Sequence, residues 1–141
     1  MANVIYNSFK QKIMDGSIDL DTDTIRVALV TSGYTPSQDD HEDYADITNE
    51  VANGNGYTTK GAALANKAVT TDDTDNEGVF DADNVTWAAS TITARGAIVY
   101  KDSGTDATSW FIAYFDFGSD QSSANGNFII TWNEEGIVNL G

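Results

Sequence analysis

The sequence predicts a mainly β fold, an antiparallel β-sandwich or flattened barrel with one N-terminal α-helix. Only residues 2–14 space their apolar side chains in the helical manner. The remainder breaks into about six to eight short runs of β-branched and aromatic residues, divided by clusters of Gly, Asn, Asp and Ser. No helical pattern alternates with these runs, which argues against a parallel βαβ architecture. At 141 residues the chain fits one domain, 1–141, large enough to bury a core without metal or crosslinks.

In the helix, Asn3 is placed to cap, Val4, Ile5, Phe9 and Ile13 share a face, Lys10 and Lys12 occupy the last turns, and Gly16 supplies a stop. Such an amphipathic stretch belongs over an open face or end of a sheet. Asp19, Asp21 and Asp23 then match the opening ligand positions of a calcium loop. The loop's glycine position holds Thr24 and its closing glutamate position holds Val30, so a solvated turn into a strand is the better reading. That strand, 24–31, alternates Ile25, Val27 and Leu29 with Arg26, Ala28 and Val30.

Residues 33–55 form a long acidic loop carrying Pro36 and His41, each the sole residue of its type. Loops of this length are usually functional or mobile. Tyr34, Tyr44 and Ile47 are expected to pin it to the body. His41, between Asp40 and Glu42, has no second histidine with which to build a typical metal site and is expected to be exposed. Asn53-Gly54-Asn55-Gly56 is a turn, and the small-residue stretch 62–70 is expected to be a strand. Within the acidic turn 71–78, Asp73, Asp75 and Glu77 precede Gly78 as in the first half of a calcium loop, which makes them weak metal candidates. The closing position is Asn84, and a hairpin turn rich in Asp is the competing reading.

The centre of the sheet is expected to be the hairpin within 85–117. Thr91, Thr93, Ile98, Val99 and Tyr100 make one arm, and Trp110, Phe111, Ile112, Tyr114, Phe115 and Phe117 the other, around a turn at 102–106. Arms that are apolar almost without alternation must be covered on both faces. Arg95 lies inside this apolar run and needs a partner, Asp116 within the chain or an acid on a neighbour, while Gly96 signals a bulge or a close backbone approach. A loop over 118–127 follows, then a strand with Phe128, Ile130 and Trp132 on one face. The apolar tail, Ile137, Val138 and Leu140, docks on its own core or on a neighbour.

With 22 acidic and 7 basic residues the net charge is -15, which argues against nucleic acid or an anionic membrane as partner. The absence of cysteine excludes thiol nucleophiles and zinc-thiolate sites. No apolar run approaches the roughly 18 residues of a membrane span, and no basic-then-apolar leader opens the sequence, so a soluble product made in the cytoplasm is expected. Phosphate loops, nucleophile elbows and paired-histidine metal helices are all missing, so no catalytic residue and no cofactor other than a possible calcium ion is expected.

Four segments resemble a family of small virion structural proteins of tailed bacteriophages and prophages. They are IDLDTDTIRVALVTSGYTP at 18–36, DITNEVANGNGYT at 46–58, VTWAASTITARGAIVYKD at 85–102 and YFDFGSDQSSANGNFIITWNEEGI at 114–137. The resemblance implies a particle component without a catalytic or ligand residue to carry over. An acidic body outside the shell favours a capsid decoration, or cement, protein that binds the major capsid protein on the virion's capsid surface through many modest contacts. A homo-oligomer, trimer or dimer, is expected. Tyr34, Tyr44, Ile47, Arg95, Ile137 and Leu140 are the interface candidates. The alternatives are a fibre adhesion module stacking host glycans on Tyr34, Tyr44, Tyr57 and Trp110, and a tail-tube or baseplate subunit.

Overall fold

The computed structural model describes residues 3–141. Ten strands and one α-helix follow in order: β1 (Val4–Ile5), α1 (Asn7–Met14), β2 (Ile25–Val30), β3 (Ala62–Ala63), β4 (Ala68–Asp72), β5 (Glu77–Asp81), β6 (Val85–Ser90), β7 (Thr93–Lys101), β8 (Phe111–Ser122), β9 (Gly126–Ile130) and β10 (Val138–Leu140). They build an antiparallel five-stranded sheet in the order β1-β8-β7-β2-β3, a three-stranded sheet β10-β5-β4 and a two-stranded sheet β6-β9. The strand count exceeds the sequence expectation because β1 and β3 are two-residue pairings at sheet edges, too short to leave a periodic signal.

The hairpin β7–β8 does occupy the middle of the large sheet. Alternation along β2 explains why both faces are apolar. Ile25, Val27 and Leu29 point into a cluster with Phe80, Trp87, Phe128 and Ile130 of the two smaller sheets, whereas Ala28 and Val30 point the other way, among Tyr6, Ile98 and Tyr100. The first cluster is the filling of a sandwich. The second is roofed by the chain's own loop, through Tyr34, Tyr44 and Ile47. At about 25 cal/mol per Å² of apolar surface, each large side chain enclosed this way contributes roughly 1.5–3 kcal/mol.

The helix is shorter than its sequence pattern. Ala2, at the expected start, lies outside the described residues. Val4 and Ile5 are extended and pair with Tyr114 and Ala113, because the open edge of β8 offers β-branched residues a ladder that a first helical turn would forgo. Asn3 does not cap. Its backbone N–H donates to Tyr114 and its Oδ1 accepts from the Asp116 N–H at 2.6 Å. Tyr6 takes the cap position without a side-chain bond. Gly16 does end the helix, at φ +79°, with the Ser17 N–H returning to the Lys12 carbonyl.

Much of the expected loop at 118–127 belongs to β8. Ala94 faces Gln121 while Gly96 faces Asp116, so residues 117–120 bulge out of the ladder and the strand then resumes to Ser122. Asn125, with φ at 49°, turns the chain into β9. The small-residue stretch 62–70 is extended as expected but divided: β3 pairs with β2, and β4 belongs to the smaller sheet.

Candidate partner-binding surface

The acidic loop is latched from within. Tyr6 and Tyr34 share a hydroxyl contact of 2.7 Å, and the Tyr34 hydroxyl lies 2.9 Å from His41 Nδ1. That nitrogen also accepts the Ser37 N–H at 3.3 Å. His41 is therefore half-buried and engaged, where exposure had been expected. Burial, the largest cause, pushes the Tyr34 phenol up to about 12 and raises that of Tyr6 further.

A second latch centres on Glu50, which sequence reasoning missed. Its carboxylate accepts hydrogen bonds from the Tyr44 hydroxyl, from the Tyr57 hydroxyl at 2.7 Å and from the Lys60 N–H at 2.7 Å. The Tyr57 hydroxyl in turn accepts the Leu29 N–H at 3.0 Å, tying the loop to β2. Desolvation first, and then the Glu50 charge, raise the pKa of Tyr57. No motif spacing announces this carboxylate, whose partners stand at irregular intervals along the loop.

These contacts redistribute the interface candidates. Tyr34, Tyr44 and Ile137 are 4%, 6% and 1% exposed, so little of each side chain is left for a partner, and Ile47 is partly buried against the cluster that holds Tyr34 and Tyr44. Glycan stacking loses its residues as well. Tyr57 is buried, and the Trp110 ring already carries the Lys12 ammonium at 4.4 Å. Arg95 pairs with Asp116 inside the chain, Nε to Oδ1 at 3.0 Å, with both side chains more than a third exposed. The Gly118 N–H and then Arg95 hold the Asp116 carboxyl below the usual range. Leu140 alone among the six is largely open, at 45%.

The expected metal ligands separate. The carboxylates of Asp75 and Glu77 lie within 4.8 Å of those of Asp72 and Glu135, but Asp73 is not in the group. Asp72 Oδ1 already accepts the N–H groups of Thr74 and Asp75, which closes the β4–β5 turn, and Glu77 accepts from Asn139. The acids could offer oxygens to a hard cation, in an order unlike a calcium loop. The earlier run closes on itself too: Asp19 Oδ1 accepts from Asp21 and Thr22, and Asp23 pairs with Lys101 at 3.0 Å.

Large apolar side chains stay open on the small sheet, at Val69 and Leu140, at the helix end, at Met14, and on β9, at Ile129. Ile137 and Val138 dock the tail on its own core, β10 pairing with β5. Past them Leu140 faces Gly78, whose missing side chain leaves a shallow apolar groove of about 140 Å³ between Val69, Leu140 and the side chains of Ile13 and Leu20. Val69 is 53% exposed. On the opposite face a groove of about 400 Å³ is lined by Asp72, Asp81, Glu134 and Glu135. Among the described residues no helix is long and apolar enough to cross a membrane. Comparison with known proteins finds no matching family model, no similar curated protein and no similar solved structure.

Proposed function

We propose that the chain is a non-enzymatic structural protein of a tailed-bacteriophage virion, a cement protein that sits on the outer capsid surface, binds the major capsid protein and acts as a homo-oligomer. The observation that carries the reading is how the molecule spends its polar groups. The hydroxyls of Tyr6, Tyr34, Tyr44, Tyr57 and Tyr100, with Glu50 and His41, are bound to one another or to backbone within the chain, while apolar side chains and a sheet edge stay open on the outside. Such a body is suited to contact. Four cations are used in internal pairs, Arg26 with Asp102, Lys60 with Asp106, Arg95 with Asp116 and Lys101 with Asp23, so the outward field is acidic and unsuited to packaged DNA.

Particle reconstructions with and without the chain test this directly. Density on the outside of the head at lattice-related positions, together with shells that rupture at lower temperature when the chain is missing, is the expected result. Density confined to a tail or fibre, or no incorporation into particles, would overturn it.

A further inference from the structure

β4 is an open edge. In the order β10-β5-β4 it pairs only with β5, in an unbroken register from Ala68 opposite Asp81 to Asp72 opposite Glu77. Of the devices that usually blunt an edge, Ala-Val-Thr-Thr-Asp carries only the charge of Asp72 at its end, with no proline, no lysine and no bulge. Ala68, Val69, Thr70 and Thr71 are all exposed. The opposite edge, β10, is only three residues long.

The two faces beside this edge differ in chemistry. Val69 opens onto the apolar groove over Gly78. On the other face Ala68, Thr70 and Asp72 border the acidic groove, where Asp81 Oδ1 is buried without a hydrogen-bond partner. Lys67, the cation beside the strand, is directed to the Asp23 carbonyl. A strand added to β4 would send successive side chains to opposite faces, one into the apolar groove and the next over the carboxylates.

We infer that the free edge of β4 is a strand-addition site for an extended partner segment in which apolar residues alternate with lysine or arginine. A second copy of β4 fits poorly, because it would bring its own Asp72 against a face already holding Asp72, Asp81, Glu134 and Glu135 with no base among them. Such a partner segment belongs to whatever particle or other assembly the chain joins, and its role here rests on the chain being a contact protein.

The test uses the full chain and an acetylated eight-residue peptide alternating valine and lysine. Its controls are a peptide alternating valine and glutamate, and one of the first composition with its valines and lysines in separate blocks. Calorimetry is expected to give affinity for the alternating basic peptide at least about tenfold above both controls, a difference of roughly 1.4 kcal/mol. Amide shifts in the unaltered chain should centre on residues 67–73. Val69→Asp should weaken binding about tenfold or more while the amide spectrum away from residues 67–73 stays that of the folded chain, since about half of the side chain is exposed and strand propensity alone costs about 1 kcal/mol at most. D72N combined with D81N should weaken it and flatten its salt dependence. Equal affinity for the controls, shifts elsewhere on the molecule, or binding indifferent to V69D would each overturn the inference. So would a dimer in sedimentation that V69D dissolves, because a second copy would then own the edge. Loss of particle association with the peptide result intact would remove the cement reading and leave this one standing.

Discussion

Glu50 gathers the Tyr44 and Tyr57 hydroxyls and the Lys60 N–H around one carboxylate. Hydrogen bonds to a charged acceptor are worth about 1.5–3 kcal/mol each, and water can recover part of that at a half-buried site. E50A is therefore expected to cost about 3 kcal/mol in urea unfolding, and E50Q less, because one oxygen still accepts. A loss below about 0.5 kcal/mol for E50A would show that the latch does not stabilise the fold. Gly96 makes the second prediction at this scale. A Cβ there would lie 2.6 Å from the Tyr114 ring and hydroxyl and 2.7 Å from the Phe115 carbonyl, so G96A should lose about 1–3 kcal/mol through overpacking. An unchanged midpoint would mean that Tyr114 moves aside freely. Gly96 was legible in the sequence, as a glycine inside an apolar strand has few reasons to be there. Glu50 was not, since one acid among 22 carries no local mark of its partners.

At the level of elements, the chain's ends behave differently from its middle. The β7–β8 hairpin could be read directly, because β-branched and aromatic runs flank an uninterrupted turn cluster. The start of α1 could not, because Val4 and Ile5 suit helix spacing and an edge strand equally, and only the nearby edge of β8 decides. The tail shows both outcomes within four residues. Ile137 is buried beneath β5 and Leu140 is not. I137A is expected to cost about 2–5 kcal/mol by leaving a cavity, and L140A less than about 1 kcal/mol, both read from thermal or urea midpoints. Equal losses would mean that Ile137 is not the buried anchor of the tail.

For the whole molecule, the tyrosines form the broadest pattern. All six have phenols raised above the usual 10.0, with burial the first cause in each. A raised folded pKa contributes stability that is fully present below the unfolded value and is lost as pH climbs through the folded one. Stability should hold on the acid side of pH 10.0 and decline above it, through the value of about 12 to which burial pushes Tyr34 and beyond, because burial raises Tyr6, Tyr44, Tyr57 and Tyr100 further. Tyrosinate absorbance is expected to rise together with unfolding and not ahead of it. Free titration near pH 10 with the fold intact would contradict the burial of this set.

The sequence by itself determined the β class, the single helix, the central hairpin and the acidic surface, because these follow from side-chain periodicity, turn chemistry and charge, all of which are local or additive. Tertiary structure alone decided which acids meet, that Tyr34 and Tyr44 face inward, that Arg95 closes on Asp116 and that β4 is left as an open edge. Those outcomes depend on pairings between distant strands and on how a loop folds back over a sheet, and one-dimensional spacing holds no record of either.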